Sequence, residues 1–258
     1  MEGPTTRGGA PADGITVGDP VDEARRILDL AASASLGIRV MGGVAVRMRC
    51  PSADLPPLAR SYNDIDYAAR SADSRRISEL FAESGYQPDA EFNALHGRQR
   101  LFFWDPQHGR DADVFLDTFS MCHTLDFREQ LLRDDHTLPL TTLLLFKLQV
   151  VETNDKDYKD ALAILTDHRA ERAGLDAEGI GHFLAQDWGW WRTATSMLDR
   201  LRSYAGQLEG FRGADAVNAN VEAITGAIER APKSRRWKLR SKVGERVRWY
   251  EVPDEAHA

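Results

Sequence analysis

Behind Asp19-Pro20, apolar residues return at Val21, Ala24, Ile27, Leu28 and Ala31, and Gly37 follows. An aspartate cap, a first-turn proline and a terminal glycine at helical spacing predict a helix over 20–36. The pattern then shortens. Ile38 to Met41 reads as a strand stopped by Gly42-Gly43, a short helix follows over 44–49, and residues 61–68 alternate around Asp64, Ile65 and Asp66 as a second strand would. Ile77, Leu80 and Phe81 mark a helix over 74–84 closed by Gly85, and 98–105 and 111–119 read as paired strands across Pro106 to Arg110.

From Pro139 onward the period is helical, over 140–152, 156–168, 176–204 with a break near Gly189, and 214–230. Trp188, Trp190 and Trp191 fit packing at that break better than a stacking site. The last segment alternates Trp237 and Leu239 with basic residues before Val243-Gly244, and Val247 and Trp249 after it, which predicts a hairpin. Residues 1–18, rich in Gly, Pro and Thr without apolar periodicity, read as a flexible tail. The expected fold class is α+β: a mixed sheet with flanking helices over 19–137, a helical domain over 138–232, and a basic terminal β-hairpin and tail over 233–258.

Composition narrows the function classes. With 258 residues, 42% hydrophobic and 28% charged, the chain is neither fibrous nor disordered throughout, and its length allows one or two domains. A formal charge of −7 argues against coating nucleic acid or anionic membrane through the whole surface. The longest nearly apolar stretch, Leu138 to Phe146, is less than half of the roughly 20 residues a membrane span needs, and residues 1–20 hold no apolar leader, so a cytoplasmic location without membrane contact is expected. Cys50 and Cys122 read as reduced thiols. Walker-type loops, zinc motifs and serine-hydrolase elbows are absent from the sequence.

The informative segment is Arg60-Ser61-Tyr62-Asn63-Asp64-Ile65-Asp66-Tyr67. On a strand, Asp64 and Asp66 point the same way, and two like charges so placed suit a divalent cation, or else mark a solvated face. Gly42-Gly43 before a helix lets backbone amides approach phosphate. Asp113 and Asp117 share the face of a later strand, and either could be a third carboxylate; Asp113 is favoured. Lys147 is the lone cation of an apolar helix and needs an anion, whether nucleotide phosphate or a neighbouring carboxylate; Asp160 is the chosen partner. Asp155 and Asp157 equally suit a helix N-terminus. Eight cations against Glu245 over 233–248, with Trp237 and Trp249 interleaved, suit a nucleic-acid strand or nucleotide tail, or a charged hairpin covering the core.

Strand, Gly-Gly turn, helix, strand with Asp64-x-Asp66 and a later carboxylate strand together resemble the nucleotidyltransferase superfamily that includes DNA polymerase β, over roughly 38–165. MGGVAVRMR followed by RSYNDIDYA looks closest to the abortive-infection toxin nucleotidyltransferases. The resemblance implies Mg²⁺, with Mn²⁺ as a substitute, a nucleoside triphosphate substrate, and transfer of NMP to an acceptor hydroxyl with loss of pyrophosphate. Carried over by position, Gly42 and Gly43 match the phosphate turn, Asp64 and Asp66 the metal ligands and Asp113 the third carboxylate; Lys147 is expected to join Asp64, Asp66 and Asp113 in catalysis, and Arg60, Ser61, Lys147 and Asp160 to stand with the glycines around the nucleotide. Gly43 stands where many members carry serine, and 21 positions separate Gly43 from Asp64, more than in the compact motif. A non-catalytic nucleotide- or RNA-binding scaffold of the same fold is the rival expectation. RNA, a protein hydroxyl or a small molecule such as an aminoglycoside all remain open as acceptor.

Overall fold

The computed structural model describes residues 15–133, 135–170 and 174–252. Helix α1 (Pro20–Ser33) starts at Asp19, whose carboxylate accepts from the amides of Val21 and Asp22, with Pro20 in the first turn. Strand β1 (Arg39–Met41) leads into α2 (Gly42–Arg49), and β2 (Asp64–Ala69) and α3 (Ser74–Glu83) follow. Next come β3 (Gln87–Pro88), α4 (Ala90–His96), β4 (Arg100–Asp105) and β5 (Arg110–Leu116). The sheet order is β1-β2-β5-β4-β3, parallel only between β2 and β5, so the class is mixed α+β.

One face of this sheet is apolar. Ile65, Tyr67, Leu101, Phe103, Ala112 and Val114 are buried on it, and Phe81 of α3 sits edge-on to Tyr67 and stacked on Phe103. Period-two alternation sends Asp64, Asp66, Arg100, Asp111 and Asp113 to the opposite face. Beyond β5, the short strands β6 (Thr118–Ser120) and β7 (Thr124–Asp126) pair as a hairpin beside that polar face.

The rest of the described chain is helical: α5 (Leu140–Leu148), α6 (Asp155–Asp167), α7 (Ala177–Leu184), α8 (Trp188–Gln207), α9 (Ala214–Arg230) and α10 (Arg235–Val243). Helix α5 is buried on nearly every side and packs on α2, α6 and α8, and one apolar core runs from the sheet into these helices. None of the described helices is long and apolar enough to cross a membrane.

Two expectations are corrected. Residues 235–243 form helix α10, not a hairpin: the Ser234 hydroxyl caps it by accepting from Trp237 N–H, and Gly244, at φ +59°, ends the helix instead of turning a strand. The long unbranched stems of Arg and Lys favour helix, and alternation with only two apolar residues was too short to fix a strand. Of the segment read as a flexible tail, 1–14 lie outside the described residues, while Thr16 is buried and its hydroxyl donates to Asp105 at 2.9 Å. The Val17 carbonyl also accepts from Arg110. Cys50 and Cys122 are buried free thiols.

Candidate active site

The parallel register between β2 and β5 pairs Asp64 with Asp111 and Asp66 with Asp113, so two aspartate-x-aspartate strands lie side by side on one face. Asp64 is exposed, Asp66 and Asp111 half-buried and Asp113 buried. A cavity of about 360 Å³ opens over them, lined also by Gly42, Arg100, Phe119, Met121 and Lys147. Burial, together with the negative charges of Asp64 and Asp113, pushes the Asp66 carboxyl up to about 8, against the pull of Lys147 and Arg100. The ionised form of Asp66 is thus disfavoured beside its two acidic neighbours.

The Gly-Gly turn is required by contacts within the protein. Gly42 has φ +65°, and a Cβ there would lie 2.0 Å from Asp66 Oδ2. At Gly43 a Cβ would lie 1.9 Å from Arg60 Nη2. That guanidinium holds Asp160 by two hydrogen bonds of 2.9 and 3.0 Å and lies 4.0 Å over the Tyr62 ring. A cationic side chain therefore occupies the space that a larger residue at position 43 would need.

Asp160, only 2% exposed on α6, also receives Lys147 Nζ at 2.9 Å. Burial alone would raise the Asp160 carboxyl, but the Lys147 charge and the Arg60 hydrogen bonds hold it below the ordinary carboxylate value. Lys147 makes a second contact, 3.1 Å to Asp157, and despite its burial the two carboxylates raise its affinity for a proton. Asp157 does double duty, since its carboxylate also closes a capping box with Asn154 at the start of α6. Lys147 is thereby fixed as an ammonium at the cavity wall.

Of the residues singled out from sequence, Gly42, Asp64, Asp66, Asp113 and Lys147 meet in the cavity. Gly43, Arg60 and Asp160 brace it through the contacts above. Ser61 is exposed, with its carbonyl accepting from Arg60, and does not line the cavity. Asp117 leaves the strand at φ +63° and accepts from the amide and hydroxyl of Ser71, which separates it from the carboxylate pair. Arg100 and Asp111 were not anticipated. Asp111 carries the same two-residue spacing to Asp113 that drew notice at Asp64 and Asp66, and Arg100 alternates with Phe102 and Trp104 along β4. Arg100 Nε donates to Asp113 at 2.6 Å.

The donor set is all carboxylate oxygen, which suits a hard cation such as Mg²⁺. Among the described residues no three His, Cys, Asp or Glu side chains converge into a ready-made cage. Asp64 and Asp66 fit a cation that takes one or two carboxylates and completes its shell from substrate phosphate.

No protein-family model and no curated protein matches the chain. Among solved structures it is similar to lincosamide antibiotic adenylyltransferase LnuA bound to lincomycin, at 14% identity and a TM-score of 0.39, over 54% of this chain and 92% of that one. It is also similar to antibiotic-resistance factor ANT(2'')-Ia, at 11% identity and a TM-score of 0.38, over 73% of this chain and 94% of that one.

Proposed function

We propose that the protein transfers a nucleoside monophosphate from a nucleoside triphosphate to an acceptor hydroxyl, releasing pyrophosphate. The observation that carries this reading is the register that sets Asp66 beside Asp113 on neighbouring strands, with Asp64 two positions along and Gly42 against the Asp66 carboxylate. Asp64 and Asp66 would hold Mg²⁺, with Mn²⁺ as a substitute; bound there, the ion supplies charge neutralisation to the triphosphate. The first amides of α2 face the phosphates at a helix start whose cap residue, Met41, provides no side-chain hydrogen bond. Lys147, pinned by Asp157 and Asp160, presents a fixed positive charge to the same anion. Asp113 accepts the acceptor's hydroxyl proton once Arg100 exchanges it for phosphate oxygen. The wording of the glycine turn and of the Asp64-x-Asp66 strand supports taking abortive-infection toxins as models for this activity.

The test is pyrophosphate release with Mg²⁺, each of the four nucleoside triphosphates and a mixture of cellular RNA and small hydroxyl compounds as acceptors, in the wild type and in Asp64→Asn and Asp113→Asn. Release by the wild type and its loss in both variants is expected. Equal release by wild type and Asp64→Asn would reject the assignment. One observation favours the binding-only scaffold instead: Arg100 commits Asp113 to an ion pair. That reading expects nucleotide binding without pyrophosphate and no change in Kd on Asp113→Asn.

A further inference from the structure

The strongest charge contrast in the molecule lies outside the carboxylate cavity. Residues 233–248 carry eight cations and one acid within a chain of net charge −7, so the remainder of the chain sums to −14. Six of those cations are exposed on α10 and the segment after it: Arg235, Arg236, Lys238, Lys242, Arg246 and Arg248. The patch frames a concave surface. A cavity of about 1000 Å³ lies between the start of α8, the β6–β7 turn and the C-terminal segment, and the half-buried rings of Trp249 and Tyr250 line it together with Arg236, Arg240 and Arg248, with the buried Trp188 packed behind them. The Arg240 guanidinium sits 4.7 Å over the Trp188 ring, and Trp249 is fixed by its Nε1–H donating to Thr193. Two acids share the wall. Asp187 accepts hydrogen bonds from the α8 amides of Gly189 and Trp190 and faces Arg236 at 3.7 Å, and Glu251 also lines the cavity.

From these features we infer that this cavity binds a single-stranded RNA, bases against the aromatic walls and phosphates on the surrounding arginines. Cations interleaved with aromatic faces are what a single strand requires, whereas the bases of a duplex are stacked inside and cannot reach the indoles. A bilayer surface is flat and would leave a concave pocket unfilled. RNA is the strand of choice because it carries on every ribose the hydroxyl that the transfer proposed above would use, and a neighbouring depression that shares wall residues with both lies between this cavity and the carboxylates. Glu251 also lines a second depression with Phe92 and Thr118, and that depression shares Arg100, Phe115, Phe119 and Met121 with the carboxylate cavity. The choice of RNA over DNA, and RNA as the acceptor, rest on the transfer activity proposed above; single-strand binding itself does not.

The experiment is fluorescence anisotropy of a labelled single strand of about 12 nucleotides titrated with the full chain, without nucleotide or Mg²⁺, over roughly 50 to 200 mM salt. Saturable binding that weakens with salt is expected. In Arg236→Gln/Arg248→Gln, affinity should fall at least about tenfold and the log–log salt slope should flatten by about 1.4, the value for two single-strand phosphate contacts. The Arg236 side chain is 85% exposed, so this variant keeps its fold, which a melting curve verifies. Duplex RNA in a parallel arm should bind less tightly than the single strand. Absence of saturable RNA binding, an unchanged Kd in the double variant, or binding to anionic vesicles in place of RNA would each overturn the inference. Because the measurement contains no nucleoside triphosphate, RNA binding without pyrophosphate release would discard only the transfer activity, and transfer to a non-RNA acceptor without RNA binding would discard only this site.

Discussion

Asp160 joins two cations in a nearly closed space, and replacing it by asparagine is the sharpest probe of the brace under the site. The side chains involved, Arg60, Lys147, Asp157 and Asp160, are between 2% and 15% exposed and sum to zero charge. Asp160→Asn preserves volume and leaves a net +1. Removing one member of such a buried pair costs about 3–5 kcal/mol because a charge is left uncompensated. The replacing amide still offers one acceptor and Asp157 remains, so the lower end, about 3 kcal/mol, is expected. For a chain of this size that is a fall of roughly 6–12 °C in Tm. The structure also predicts coupling. Gly43→Ala must push Arg60 aside, and in the wild type that guanidinium is held by its two hydrogen bonds to Asp160. With Asp160→Asn the guanidinium is looser, so the alanine should cost about 1 kcal/mol less in that background. Urea unfolding of the wild type, both single variants and the double variant measures both terms. A loss under about 1 kcal/mol for Asp160→Asn, or additivity within about 0.4 kcal/mol, would refute the reasoning.

Three other outcomes follow from single positions. Gly42→Ala forces a side chain into φ +65° and onto Asp66, so it should lose about 1–2 kcal/mol from the backbone alone and abolish nucleotide turnover, whereas Gly37→Ala, with no atom within 4 Å of its Cβ, should do neither. Burial holds His123 neutral, with its pKa lowered to about 4; the unfolded chain then binds more protons below the ordinary value of 6.5, and stability should fall between pH 6.5 and 4. Unfolding at pH 7 and 4.5 should show about 2 kcal/mol more loss in the wild type than in His123→Gln, and equal losses would dismiss the effect. Asp117→Ala removes the acceptor for Ser71 and a residue type that tolerates φ +63° better than alanine does, so it should cost about 1–2 kcal/mol in a melt yet leave pyrophosphate release unchanged. Loss of release in that variant would return Asp117 to the site.

Much of the site was readable because strand alternation is a strict period of two. Asp64 and Asp66 had to share a face, and a lysine in an otherwise apolar helix needed an anion, which Asp160 supplies at 2.9 Å. The same rule applied to Asp111-Ala112-Asp113 would have found the fourth carboxylate. It could not show which strands are neighbours, and the choice between Asp113 and Asp117 depended on the point where β5 ends and the backbone turns to positive φ. Arg100 escaped notice because its significance is tertiary: it becomes a site residue only through the β4–β5 register that opposes Phe102 to Asp113 and sets residue 100 beside it. The α10 segment was misread because Trp-x-Leu alternation amid cations fits either state, and the capping serine lies before the alternating stretch. Thr16 was lost to composition, since a Gly- and Pro-rich stretch gives no hint that Asp105 and Arg110 will order its end.

The central claim is that the Asp64 and Asp66 carboxylates carry nucleotidyl transfer, and the most direct measurement follows the α-phosphate itself. Nucleoside triphosphate labelled at that phosphorus is incubated with Mg²⁺, the full chain and a mixture of cellular RNA and small hydroxyl compounds, beside Asp66→Asn checked for an unchanged fold. The account predicts label covalently attached to an acceptor by the wild type and none by Asp66→Asn. Label attached equally by both, or intact nucleotide recovered from both, would contradict it.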